Sequence, residues 1–237
     1  MCSSDLHKQQ LADIDLRVAK RVHESLLPRP VRDPRIWIDV KYVPVERVGG
    51  DYAQIRIVDD KCLVTVCDVS GHGTASALLA SRVSSQVLST SSTTTDPLTI
   101  TRELNQFLDE YFSDTGLFVT FFALAIDLRT LEVEYCGAGH PGPLLHRRRA
   151  GAVDTLPSHN LPVGICADFL REPCSGRTRI AHGDRILLYT DGVTETTGVG
   201  GVPLRAEGLQ TLFVAGADAP LFDLGKFLLD QIGRAHV

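Results

Sequence analysis

The sequence predicts an α+β layered domain whose sheets are built from antiparallel hairpins. Three observations carry this prediction. Two helical patterns lie next to each other, at residues 74–88 and from Asp96-Pro97 through Leu108. Runs of β-branched and aromatic residues flank them on both sides, and short polar turns join several consecutive runs. A parallel sheet would instead need single strands and helices in alternation.

The elements read in order as follows. Over residues 7–28, Leu11, Ile14, Val18, Val22 and Leu26 recur every three or four positions, which marks one face of a helix. Pro28 and Pro30 end it. The stripe is narrow, so the helix suits either the end of a coiled-coil linker, which would pair two copies through it, or a helix packed on its own domain. Residues 36–43 read as a strand, and residues 55–58 and 63–66 flank Asp59-Asp60-Lys61 as a hairpin. The Ser/Thr run at residues 89–95 reads as a loop between the two helices, with Pro97 suited to the first turn of the second. Further strands are expected at residues 118–128, 131–136, 143–146 and 185–190, and a last helix at residues 221–229.

The chain has 237 residues, 43% hydrophobic and 22% charged, which fits one domain with an extra helix. A net charge of −5 argues against a nucleic-acid partner. The longest apolar run, residues 117–126, is about half of what a membrane crossing needs, and no leader pattern opens the chain. A cytoplasmic location is therefore expected. No two of the six cysteines have C-x-x-C spacing, so Cys62, Cys67 and Cys136 read as small buried hydrophobes.

Three aspartates stand where strands should end. Asp51 follows Gly49-Gly50, Asp68 precedes Val69-Ser-Gly-His-Gly73, and Asp191 precedes Gly192. A carboxylate beside glycine can hold a hard divalent cation while the backbone comes close. Two such ions can share a water, lower its pKa and clamp a phosphate. Taken singly, an Asp-Gly pair is an ordinary turn.

The ordered set is more specific. Val48-Gly-Gly-Asp-Tyr52, Cys67-Asp-Val-Ser-Gly-His-Gly73, Asn105, Phe118-Val-Thr120, Gly137-Ala-Gly-His-Pro141, Pro162-Val-Gly164 and the run from Gly183 to Glu195 follow one another. This succession resembles the stage II sporulation protein E branch of the PPM, or protein phosphatase 2C-like, family over residues 20–230. Glu24-Ser-Leu-Leu-Pro28 is similar to the linker that precedes those domains.

The resemblance implies a four-layer αββα sandwich with two Mn²⁺ or Mg²⁺ ions at one end. Asp51, Asp68 and Asp191 would be ligands, with the Val69 carbonyl as a further one. Gly71, His72, Gly73, Gly192 and Glu195 would support the site or meet substrate. The implied activity is hydrolysis of phosphoserine or phosphothreonine by metal-activated water. The implied partner is a phosphorylated anti-sigma-factor antagonist. The alternative is an inactive pseudophosphatase that serves as a partner-binding module. From the residues themselves, His140 reads as a tie between strands, and Arg147, Arg148 and Arg149 as a solvated basic turn.

The chain departs from the family pattern at several points. Gln54 stands where an acidic residue is common, which would weaken metal binding if that position helps. Gly142 replaces a common proline, and Leu204-Arg205 replaces a common Phe-Gly. The family closes with Asp-Asp, an aliphatic residue and Thr, whereas Asp230 here precedes Gln231 inside a helical pattern. The last six residues can be encoded by ATCGGAAGAGCACACGTC; the reverse complement, read from its GTG as a start codon, encodes Met1 to Asp5. That string resembles a sequencing-library adapter. Residues 1–6 and 232–237 are accordingly read as foreign, 7–28 as the linker helix, and 29–231 as the phosphatase-like domain, cut short at its C-terminus and of low expected activity as it stands.

Overall fold

Strand alternation sets the layers. In β4 (Lys61–Val69) and β5 (Val119–Asp127), odd-numbered side chains face one side of the sheet and even-numbered ones the other. Leu63, Cys67, Val69, Phe121 and Ala123 pack on α2 (Thr74–Ser91) and α3 (Pro97–Phe112). Cys62, Val64, Phe122 and Leu124 face a second sheet through Leu145 and Ile186. The outer face of that second sheet, through Leu144, meets α5 (Arg205–Ala215) and α6 (Leu221–Gly233) through Leu209, Phe213, Leu224 and Leu228. The result is the expected four-layer αββα sandwich. Burying each large apolar side chain contributes roughly 1.5–3 kcal/mol, so Phe121 and Phe122, both fully buried, anchor the two faces of the central sheet.

The computed structural model describes residues 17–18, 20–43, 48–196 and 202–233. The first sheet has the order β3-β4-β5-β6-β9, with β3 (Tyr52–Val58), β6 (Glu132–Ala138) and β9 (Gly176–Arg179) around the central pair. The second has the order β10-β7-β8, from β7 (Leu144–Arg147), β8 (Ala152–Thr155) and β10 (Arg185–Leu187). Among the described residues, the named strands pair antiparallel throughout. Of the expected linker helix, residues 17–18 and 20–24 are helical (α1); the part before residue 17 and residue 19 lie outside the described residues.

Several boundaries differ from the sequence reading. The strand expected at residues 36–43 is shorter: β2 (Ile36–Ile38) pairs with β1 (Val31–Asp33), and the chain then leaves the sheet to bring Tyr42 against His23, ring centres 5.7 Å apart. Residues 89–91 belong to α2 and not to a loop, because the hydroxyls of Thr90 and Ser91 find partners. Thr90 donates to Glu103 Oε2 at 2.6 Å, and Ser91 Oγ donates to the Leu88 carbonyl at 3.1 Å. Asp96 caps α3 as the sequence suggests, accepting from Thr99 N at 2.9 Å. Strand pairing in β10 stops at Leu187, and Asp191 opens a short helix, α4 (Asp191–Glu195).

The strands β8 and β9 were not anticipated. They are short, largely polar and lie at sheet edges, where alternation of hydrophobicity is weak. Helix α5 also escaped notice, for it contains Gly208 and opens at Arg205 with φ +57°, where the resembled pattern has glycine. Helix α6 runs through Ile232 and Gly233, two residues read as foreign, and Asp230 is exposed on it. No helix among the described residues is long and apolar enough to cross a membrane.

Candidate metal centre

Register brings the first two aspartates together. Asp68 lies on the even face of β4, opposite Thr120 of β5, and so points into the layer between the sheets. Asp51 precedes β3 with the parity of Ala53 and Ile55, residues on the face toward the second sheet, because Tyr52 packs on the helix side. Gly50 permits the close approach: a Cβ there would stand 2.8 Å from the Val69 carbonyl oxygen. This loop is therefore laid directly on the end of β4, with Val69 N donating to the Gly50 carbonyl at 3.4 Å.

Asp191 arrives from the second sheet. Thr190, just before it, donates its hydroxyl to Asp51 Oδ2 at 3.2 Å and ties the two sheets at this point. The Asp191 carboxylate acts on both Asp51 and Asp68 as a like charge. Asp191 and Glu195 are exposed, and the Glu195 charge also reaches Asp68. Gly192 is exposed in the same turn.

Electrostatics mark the cluster as short of positive charge. Burial, then repulsion from Asp51 and Asp191, pushes the Asp68 carboxyl up to about 7. Asp51 is raised as well, chiefly by burial, although the hydrogen bonds it accepts from Thr190 and from Asp68 oppose the shift. Burial holds both carboxyls above the usual carboxylate range, and their titrations are linked. A divalent cation would supply positive charge to offset them. Among the described residues, no three His, Cys, Asp or Glu side chains close on one point as a ready-made cage. The donor set nevertheless fits Mg²⁺ or Mn²⁺, which take oxygen ligands, often only one or two carboxylates, and keep several waters.

The loop after Asp68 is fastened at both ends. Ser70 N donates to the Phe118 carbonyl at 2.9 Å, Phe118 N donates to Ser70 Oγ at 3.0 Å, and Ser76 Oγ donates to the Ser70 carbonyl at 3.2 Å. Gly71 and Gly73 take φ of +85° and +81°, which side chains other than glycine rarely adopt. His72, between them, is exposed beside the N-terminus of α2, where an anion is favoured.

Gln54 does not belong to this centre. Opposite in parity to Asp51, it faces the helix layer, where Tyr52 Oη donates to its Oε1 at 2.5 Å and its Nε2 donates to Ser91 Oγ at 3.0 Å. Asn105, quoted in the motif set, clamps the loop at residues 162–164 by accepting from Gly164 N at 2.8 Å. The arginine turn is structural: Arg147 pairs with Asp154 at 2.8 Å and Asp184 at 3.6 Å, and the Arg148 backbone N–H donates to Asp184 Oδ1 at 3.0 Å. Cys62, Cys67 and Cys136 are buried free thiols, as expected, with Cys136 pushed up to about 11 by burial.

Two polar residues at the site were missed as participants, Thr190 and Thr120. Strand alternation placed Thr120 on a definable face, but only the register sets it opposite Asp68. A largely apolar cavity of about 570 Å³ runs beside them between the sheets, walled by Val64, Leu124, Ile186 and Leu188, with Asp51 and Thr190 also in its lining.

The family model of stage II sporulation protein E (SpoIIE) matches residues 58–236. The chain is 26% identical over 222 residues to phosphoserine phosphatase RsbP of Bacillus subtilis (strain 168), covering 92% of this chain and 53% of that protein. It is 25% identical over 188 residues to phosphoserine phosphatase RsbU of the same organism, covering 79% and 55%. The chain thus spans about half the length of these curated relatives. Among solved structures, the SiaA-PP2C domain of Pseudomonas aeruginosa superposes with a TM-score of 0.80 at 20% identity, over 96% of this chain and 92% of that one, which shows the shared fold.

Proposed function

The chain belongs to the stage II sporulation protein E family, and from that premise we propose that it is a metal-dependent protein serine/threonine phosphatase. The observation that carries this reading is the facing pair Asp51 and Asp68, half-buried at one end of the sandwich under the added charge of Asp191. A cluster of this kind destabilises itself unless protons or a cation neutralise it.

In this reading Asp51, Asp68 and Asp191 hold two Mn²⁺ or Mg²⁺ ions, with the Val69 carbonyl as a further ligand. The ions supply charge for the phosphate and a water of lowered pKa. The chain's own residues do the rest. Thr190 orients Asp51, the Gly71-His72-Gly73 loop offers an N–H-rich helix start beside the phosphate, and Glu195 adds negative charge to the cluster that would hold the ions. The substrate is a phosphoserine or phosphothreonine regulator, of the anti-sigma-factor-antagonist class that the motif resemblance implies. The names of RsbP and RsbU support the phosphoserine part of that assignment.

The test is phosphate release from a phosphoserine protein by the full chain, with Mn²⁺ or Mg²⁺ added or removed by chelation. Turnover that requires the ion and drops at least about 1,000-fold in Asp68→Asn is expected, in line with losing a group that acts in the transition state. Turnover unaffected by chelation or by Asp68→Asn overturns the assignment. Binding of the phosphoprotein without any release favours the partner-binding module.

A further inference from the structure

His140 lies deep in the fold, 3% exposed, on the segment Gly137-Ala-Gly-His-Pro141 that follows β6. Its position is closely dictated. A Cβ on Gly139, which has φ +68°, would stand 2.4 Å from Pro162 Cγ, and Gly139 N donates to the Asn160 carbonyl at 2.9 Å. On one side, His140 Nδ1 and Thr120 Oγ1 are 2.9 Å apart, and Thr120 is the cross-strand partner of Asp68. On the other, the backbone of Tyr189 acts on the ring, although Nε2 closes no hydrogen bond of good geometry. Tyr189 leads directly to Thr190, which holds Asp51, and to Asp191. Thr120, the imidazole and the Tyr189–Thr190 backbone therefore stand in succession between Asp68 and Asp51, with the Thr120–His140 contact closed as a hydrogen bond.

We propose that His140 is a positioning residue for the cation site, a strut that holds β5 at a fixed distance from the run 188–190 and so spaces Asp68 from Asp51 and Asp191. This rests on the metal-dependent reading above. The imidazole is a rigid ring with polar atoms at both ends. A core histidine that only filled space would not need its Nδ1 beside the one hydroxyl that shares a register position with a candidate ligand. Partners that orient metal ligands without touching the ion commonly alter affinity about 10–100-fold when removed.

The experiment is titration of Mn²⁺ into the full chain, with free ion followed by electron paramagnetic resonance and the fold by thermal melting. His140→Leu and Thr120→Val should each weaken Mn²⁺ binding about tenfold or more. His140→Gln, whose amide can accept from Thr120 and donate toward Tyr189, should stay within about threefold of the wild type. A purely structural histidine would lower the melting temperature without this pattern of rescue. His140→Leu that melts normally and binds Mn²⁺ like the wild type overturns the proposal, as does a Gln variant as weak as Leu. If His140→Leu does not fold, the near-isosteric Thr120→Val decides, and unchanged affinity there overturns it. Failure of the wild type itself to bind Mn²⁺ is a separate outcome and sinks the metal-dependent reading on which this one stands.

Discussion

Strand β10 begins beside Arg147, Asp154 and Asp184 and runs toward Asp191, so clusters of charge stand at both of its ends. At the first end, charges are matched. Arg147 pairs with two carboxylates, donates to Thr178 Oγ1 at 2.9 Å and to the Arg179 carbonyl, and Asp184 accepts from two backbone N–H groups. At the second end, Asp51, Asp68, Asp191 and Glu195 repel one another and no basic side chain answers them in the shifts of Asp51 and Asp68. A turn that only has to hold a hairpin resolves its electrostatics within the protein. The cluster proposed to hold cations leaves its electrostatics open, at some cost to the fold.

Removing the answer at the matched end should have the larger effect on stability. Arg147→Leu leaves Asp184, whose side chain is 5% exposed, without its cation. We expect a loss of about 2–3 kcal/mol in denaturant unfolding, with Mn²⁺ affinity unchanged within about twofold. A stable variant with weakened metal binding would show that the two ends are not independent.

The unmatched end should reveal itself through pH. The folded chain keeps the Asp68 proton up to about 7, whereas the unfolded chain releases it near 3.9. Between those values the folded state binds more protons, so stability falls as pH rises through the window and the contribution is fully present only below it. Allowing for the partial exposure of Asp68, the loss is about 1–2 kcal/mol, or roughly 2–8 °C in melting temperature without added metal. Saturating Mn²⁺ should reverse the trend above pH 7, and Asp68→Asn should remove the Asp68 share of it, leaving what the buried Asp51 contributes. Burial lowers His140 to about 4, which makes stability rise with pH over the same window, so the readout is the difference in slope between the wild type and Asp68→Asn without metal; equal slopes would place Asp68 among compensated charges instead.

At residue 54 the expected effect on the metal centre is slight. Gln54→Glu would restore the acidic residue of the resembled pattern, yet the side chain faces Ser91 and Tyr52 on the helix side. Mn²⁺ affinity should move by less than about twofold, while burying a charge costs about 1–3 kcal/mol. A tenfold gain in affinity would bring position 54 back into the centre.

Much was legible in the linear chain. Strand alternation, the two adjacent helices, the Asp96-Pro97 start and the succession of glycine-flanked aspartates all depend on local preferences, which a sequence states directly. Edge strands β8 and β9 were not legible, since an exposed strand needs no apolar alternation. Nor was the end of α2, where Thr90 and Ser91 remain helical because Glu103 and Gln54 wait for them across the layer. The aspartates could be named as carboxylates at strand ends, but which of them meet was decided by register: Asp68 opposite Thr120, Gly50 beside Asp51 laid against Val69, and Thr190 reaching over from the second sheet. The same register turned Gln54 away three residues after Asp51. A sequence fixes side-chain type and local period, whereas the distance between carboxylates on different strands exists only once two sheets have packed, because it is a sum of long-range contacts that no single segment contains.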